Sequence, residues 1–181
     1  MVKNLSTDSE ADLISGCRKN DAVAQKKMYE WLSPRMFAVC IRYAGDREAA
    51  KDILHDGFIT LFSKIDTYKG DGSFEGWARR VFVTAALMHL RKKDALKHAE
   101  DVDTFGGELV YDESIMERID ARTLMGLISQ MPSGFRTVFN MYAIEGYSHI
   151  EIAKELGITE GGSRSQLSRA KQWLKDKLKD Y

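Results

Sequence analysis

The chain has 181 residues, with 27 Lys+Arg balanced by 27 Asp+Glu, 44% hydrophobic and 30% charged. That mixture excludes a disordered or fibrous polypeptide and offers no overall basicity to announce a nucleic-acid partner. No apolar run approaches the ~20 residues of a membrane span, and Met1-Val2-Lys3-Asn4-Leu5-Ser6 lacks the apolar core of a signal peptide, so a cytoplasmic protein without membrane insertion is expected.

The zero total conceals a pattern. Residues 1–95 carry 16 basic and 13 acidic side chains (+3), residues 96–118 carry 2 and 7 (−5), and residues 119–181 carry 9 and 7 (+2). The acidic stretch contains Glu100-Asp101-Val102-Asp103 and Phe105-Gly106-Gly107-Glu108 without apolar periodicity. It reads as a flexible linker, 96–118, between a domain at 1–95 and another at 119–181. Two prolines in the whole chain favour an all-α fold, and two cysteines, Cys17 and Cys40, cannot build a disulfide framework.

In the first block Thr7-x-x-Glu10 has the form of a capping box ahead of Leu13, Ile14 and Cys17. From Asp21 to Ala44 apolar residues recur at Met28, Leu32, Met36, Val39, Cys40 and Tyr43, and Pro34 is expected to kink or split that helix. Arg47–Ile65 has a clear amphipathic stripe: Ala50, Ile53, Leu54, Phe58, Leu61, Phe62 and Ile65. Asp52, His55 and Asp56 project elsewhere. After a glycine-rich turn, Ser73 is placed to cap a helix whose residues 76–93 hold five basic side chains and no acidic one. That helix is apolar on more than one face (Trp77, Val81, Phe82, Val83, Leu87, Leu90). Such a helix is either buried or meets a partner with apolar rings and negative charge, which nucleic acid supplies as bases and phosphates.

In the second block Ile115–Met131 reads as a helix, and a second starts at Pro132-Ser133 with Phe135, Val138, Phe139 and Tyr142 as its buried stripe. Gly146 suits the residue past its end, and Ser148-x-x-Glu151 opens a short helix that stops at Gly157. Thr159 caps a last helix to about Leu178. Short helix, tight turn and longer helix make a helix-turn-helix. At about 100° per residue, Leu167, Ala170, Leu174 and Leu178 share one side of the last helix. Ser165, Ser168, Arg169 and Gln172 lie opposite, with Arg164 and Gln166 at the edges. Arg suits guanine, Gln adenine and Ser either base in a major groove, whereas Lys171, Lys175, Lys177 and Lys179 suit phosphates.

Together the two blocks resemble the extracytoplasmic-function (ECF) group of bacterial sigma-70 factors. Residues Asp46–Phe62 are similar to region 2.2, Gly72–Arg80 through Leu90–Lys93 to regions 2.3 and 2.4, and Met131–Phe139 through Ala170 to region 4. The resemblance implies a sigma subunit that binds core RNA polymerase and directs it to promoter DNA. It implies a polymerase-clamp face at Asp52, His55 and Asp56. Recognition and melting of the −10 element would fall to Trp77, Arg79, Arg80, Thr84, Arg91 and Lys92. Reading of the −35 element would fall to Arg164, Ser165, Gln166, Ser168, Arg169 and Lys171. It also implies an anti-sigma protein as a common further partner. The chain departs from the family at His55 (usually Gln), Thr84 (often Asn), Met88 (often Asp) and Gly161-Gly162 (usually one glycine).

Two other classes fit less well. The four histidines (His55, His89, His98, His149) and two cysteines have no metal-ligand spacing, and no glycine-rich phosphate loop follows a strand, so neither an enzyme nor a metal or other cofactor is expected. A free-standing helix-turn-helix regulator accounts for residues 132–178 and leaves the first block without a role.

Overall fold

The computed structural model describes residues 9–95 and 121–179. They fall in two compact units: residues up to Ile41 with Arg47–Arg91, and Arg42–Asp46 with the residues from Lys92 onward. The acidic linker 96–118, Thr7 and residues 115–120 lie outside the described residues.

The first unit begins with α1 (Glu10–Arg18), which buries Leu13, Ile14 and Cys17. Its cap is Ser9 rather than Thr7. Ser9 Oγ accepts from the Asp12 N–H and the Asp12 carboxylate accepts from the Ser9 N–H, both at 3.2 Å. Ser9-x-x-Asp12 offers the expected chemistry two residues nearer the apolar stripe.

Helix α2 (Ala22–Ala44) runs through Pro34 unbroken. The Ser33 hydroxyl donates to the Tyr29 carbonyl, giving that acceptor a side-chain partner on the turn the proline ring crowds. Met28, Leu32, Met36, Val39, Cys40 and Tyr43 are wholly buried along its length. Burial of roughly 1.5–3 kcal/mol per large apolar side chain outweighs a proline cost of about 3 kcal/mol, so the helix is not split.

Helix α3 (Arg47–Lys64) and the 3₁₀ turn Ile65–Thr67 bury Ala50, Ile53, Leu54, Phe58, Leu61 and Ile65, while Phe62 is half-buried. Helix α4 (Phe74–Ala95) starts under Ser73, whose Oγ accepts from the Gly76 N–H at 3.1 Å. Gly57 lets α3 and α4 meet: a Cβ there would stand 2.3 Å from the Phe82 ring. Phe82 is fully buried and set edge-on against Phe58 at 5.0 Å.

In the second unit α5 (Ala121–Gln130) buries Leu127 and Ile128. Helix α6 (Ser133–Phe139) then passes into a single π turn, Asn140–Ile144, in which the Glu145 N–H donates to the Asn140 carbonyl at 3.0 Å. The wider turn changes the register. Val138, Phe139 and Met141 are buried and Phe135 is half-buried, but Tyr142, expected in the buried stripe, is turned out and 41% exposed.

Three charged side chains, Arg136, Arg42 and Glu145, lie in the interior instead. Arg136 donates to the carbonyls of Ser129 (2.7 Å) and Met131 (3.0 Å), and to those of Tyr43 (3.1 Å) and Ala44 (3.0 Å) in the Arg42–Asp46 segment of this unit. Arg42 and Glu145 make a buried ion pair at 2.6 Å. A buried guanidinium is tolerable because its donors are taken up by helix-end carbonyls that would otherwise lack partners.

Gly146 follows the π turn at φ +77°, as its place past the helix end requires. Helix α7 (His149–Leu156) carries the expected Ser148–Glu151 capping box and ends at Gly157 in the left-handed region, φ +69°. Helix α8 (Glu160–Leu178) is capped by Thr159, whose Oγ1 accepts from the Gly162 N–H at 2.9 Å. It packs mainly on α6 and α7 through Ser163, Leu167, Ala170 and Leu174.

Candidate functional site

Three exposed faces collect the candidate residues. On α3, Asp52, His55 and Asp56 are all exposed, opposite the buried stripe. Ile59, 56% exposed, extends them to positions i, i+3, i+4 and i+7, one continuous strip. Ile59 belongs neither to the apolar stripe read from the sequence nor to the polar residues singled out beside it. Its signal was the spacing from Asp52.

On α4 the buried arc is wide: Phe74, Ala78, Phe82, Val83, Ala85, Ala86 and Leu87. What remains is a narrow outer face. At ~100° per residue it holds Trp77, Arg80, Val81, Thr84, Met88 and Arg91, with Lys92 beside them. Arg80, Thr84, Arg91 and Lys92 are exposed, and Met88 is 56% exposed. Thr84 Oγ1 donates to the Arg80 carbonyl at 2.9 Å, so its hydroxyl is partly used within the helix. Trp77 is half-buried, its ring packed with Tyr68 (5.6 Å) and Phe74 (5.4 Å). Arg79 does not join this face. It falls on the far side of the helix and is half-buried. The outer face is thus cationic at both ends with an apolar and hydroxyl-bearing middle.

On α8, Ser165, Ser168, Arg169 and Lys171 are half-buried and Arg164 is exposed, paired with Glu160 one turn earlier. Gln166 is drawn away from the rest: its amide lies against Gly134 of α6, and its side-chain oxygen is buried without a hydrogen-bond partner. Lys177 is drawn off as well, its ammonium 5.8 Å above the half-buried Trp173 ring. Towards the C-terminus Asp176 accepts from Gln172 Nε2 and Lys179 Nζ, both at 2.9 Å.

Behind the first turn of α8 sits a pair that sequence reasoning did not single out. Ser163 is fully buried and its Oγ lies 2.9 Å from His149 Nδ1. The imidazole also stacks on the Tyr142 ring, centroids 4.5 Å apart. Burial, then the nearby Arg164 and Lys171 cations, hold the imidazole below its ordinary pKa, with Glu160 opposing them.

Cys17 and Cys40 are free and buried; burial, followed by the charge of Asp21, pushes the Cys17 thiol up to about 11, which makes it a poor nucleophile or ligand. Among the described residues no group of three His, Cys, Asp or Glu could hold a metal ion, and no helix is long and apolar enough to cross a membrane.

Comparison with known families agrees with this layout. The Sigma-70 region 2 family model matches residues 28–96 and the Sigma-70 region 4 model matches residues 121–174. The ECF RNA polymerase sigma factor SigE of Mycolicibacterium smegmatis is 30% identical over 150 residues, covering 80% of this chain and 57% of that protein. The RNA polymerase sigma-H factor of Pseudomonas aeruginosa is 24% identical over 180 residues, covering 93% of each chain. ECF sigma factor SigW of Bacillus subtilis is 25% identical over 178 residues, covering 92% of this chain and 95% of its own. Among solved structures, the sigma factor RpoE of Bartonella quintana, crystallised with the anti-sigma factor NepR, has the same fold. It has a TM-score of 0.51 and 17% identity, and the match covers 85% of this chain and 96% of that one. Matches to sigma-70 regions 2 and 4 in the family's order, together with these relatives, place this chain in the sigma-70 family as a member of its extracytoplasmic-function group.

Proposed function

We propose that this chain binds core RNA polymerase and directs promoter-specific initiation, with the three exposed faces dividing the work. Asp52, His55, Asp56 and Ile59 on α3 dock on the polymerase: carboxylates and an exposed isoleucine on one strip suit a partner surface of basic and apolar side chains. The outer face of α4 takes the −10 element. Arg80, Arg91 and Lys92 hold phosphates, while Trp77, Thr84 and Met88 offer the stacking and polar contacts that an unstacked base needs. Arg79 serves this face least, given its place on the far side of the helix. The face of α8 reads the −35 element through Arg164, Ser165, Ser168 and Arg169, with Lys171 on phosphate and Gln166 turned toward α6.

The polymerase supplies the chemistry and this chain acts without catalysis, in the cytoplasm. An anti-sigma protein that covers these faces is a further partner. Its docking is favoured by apolar side chains left in water, Ile59 and Met88 in the first unit and Tyr142 and Ile150 in the second.

The observation that carries this reading is the separation of one acidic-apolar face on α3 from two acid-poor, donor-rich faces on α4 and α8. Run-off transcription from a promoter library with core RNA polymerase tests it. Defined transcripts should require both proteins. Tight specific binding to duplex DNA by the chain alone, with no transcript in the presence of polymerase, would favour a free-standing regulator.

A further inference from the structure

The first turn of α8 is poorly suited to being a helix. Gly161 and Gly162 occupy it, and glycine costs up to ~1 kcal/mol relative to alanine in a helix interior. Besides the exposed Arg164–Glu160 pair on its surface, two side-chain hydrogen bonds hold it. Thr159 Oγ1 takes the Gly162 N–H and fixes where the helix starts. The second joins Ser163 Oγ to His149 Nδ1 at 2.9 Å. Ser163 lies on the buried side of α8 and His149 at the start of α7, so this bond fixes how the first turn is rotated about its axis. The imidazole is itself held, with Tyr142 of the π turn stacked on its other side. A serine hydroxyl with no exposed surface needs a partner, and the imidazole is the side chain that provides one.

We propose that His149 is a positioning residue for promoter reading: through Ser163 it sets the rotation of the first turn of α8 and thereby the aim of Arg164 and Ser165, the two residues that follow that serine. The inference rests on α8 being the −35-reading helix.

The neutral ring is the one that fits. With the proton on Nε2, Nδ1 accepts from the Ser163 hydroxyl. The imidazolium has no lone pair there, the bond must reverse, and the buried hydroxyl proton of Ser163 needs another acceptor. The groups facing the ring are Glu160, Arg164 and Lys171 of α8 and Tyr142 of the π turn. The two cations and burial favour the neutral form and the single carboxylate opposes them. Promoter discrimination is therefore complete above the ordinary imidazole range and is lost as the pH falls through the lower value the folded protein imposes.

The test uses the holoenzyme, formed from core polymerase and the full chain, and its binding to a promoter set randomised at −35. His149→Leu and Ser163→Ala should each lower affinity for the preferred −35 sequence about tenfold, the scale of one buried hydrogen bond, and flatten the preference at one or two positions. The helical spectrum and the affinity for core polymerase should not change. His149→Asn keeps a polar atom near Nδ1 and should recover most of the preference, but without the wild type's loss on acidification. Arg169→Ala serves as the control for the helix itself. If Arg169→Ala alters −35 preference while His149→Leu and Ser163→Ala do not, the positioning role is wrong. An acid response in His149→Asn equal to that of the wild type is likewise fatal to it. If Arg169→Ala also leaves every −35 variant unaffected, the reading of α8 as the promoter helix has failed first.

Discussion

Gly57→Ala is a sensitive probe of the fold that carries the α3 and α4 faces, because two effects of opposite sign act on one methyl group. In an exposed helix the change stabilises by up to ~1 kcal/mol through helix propensity. Here the new Cβ would stand 2.3 Å from Cδ1 and Cε1 of Phe82, and 3.1 Å from its Cγ. Carbon atoms in good contact sit ~3.5–4.0 Å apart, so the ring or a helix must retreat by more than an ångström. The ring has nowhere to go. Phe82 has no exposed surface and its neighbour Phe58 is only 5.0 Å away, centroid to centroid. Overpacking of this kind costs typically ~1–3 kcal/mol and, with so little room to relax, exceeds the propensity gain, leaving a net loss of up to about 2 kcal/mol. For a unit of this size that lowers its melting temperature by roughly 4–8 °C per kcal/mol. Urea unfolding followed by tryptophan fluorescence measures it. Trp31 and Trp77 belong to the first unit and Trp173 to the second, so a Trp173→Phe background isolates the transition of interest. Phe82→Leu removes part of the obstructing ring, and the double variant should be about 1 kcal/mol more stable than the sum of the single losses. A Gly57→Ala protein at or above wild-type stability would mean that α3 and α4 do not approach as described.

The functional faces make three further predictions. Asp52→Arg with Asp56→Arg should leave the helical spectrum intact and weaken binding to core polymerase; unchanged affinity would remove the α3 assignment. Arg80→Ala, Arg91→Ala and Lys92→Ala together should slow open-complex formation more on duplex than on pre-melted promoters, and Arg79→Ala alone should do less than Arg80→Ala because it faces away. Equal losses on both templates would reduce the three cations to general phosphate attraction. Arg169→Ala should cost ~1–3 kcal/mol at a single −35 position, whereas Lys175→Ala should weaken all promoters alike and make the salt dependence shallower, a contrast read from a promoter-variant scan at two salt concentrations.

What was legible in the sequence is what depends on periodicity and local hydrogen bonds. The stripes of α2 and α3 are buried as their spacing requires, and Ser73, Ser148 and Thr159 cap the helices that follow them. What was not legible depends on partners distant in sequence. A 3.6-residue period places Tyr142 inside, and only the π turn, visible in the Glu145-to-Asn140 hydrogen bond, puts it out against His149. The burial of Arg136 depends on four backbone carbonyls, two of them from Tyr43 and Ala44, far away in sequence. Gln166 had a base-reading side chain at an edge of the helix, and its amide lies against Gly134 of α6 instead. Gly57 gave no signal at all, since a helical glycine reads as a weakness until the opposing ring is seen.

The same division between local and distant forces decides how α8 tolerates change. Its first nine residues, Glu160 to Ser168, include two glycines and three serines, roughly 3 kcal/mol poorer in helix propensity than an alanine segment. The helix nevertheless begins at Glu160, so its order comes from the buried side, where Leu167 and Leu174 each contribute about 1.5–3 kcal/mol against α6 and α7. The two sides should therefore separate under mutation. Leu167→Ala, at a site 6% exposed, should cost ~2–5 kcal/mol in the unfolding of the second unit, followed by Trp173 fluorescence, and should weaken every promoter through loss of the helix. Arg169→Ala should stay within about 0.5 kcal/mol of wild type in that measurement and act on promoter choice alone. If Arg169→Ala destabilises the unit as much as Leu167→Ala, the arginine is part of the packing, and the readout of the −35 element must be carried by Arg164, Ser165 and Ser168.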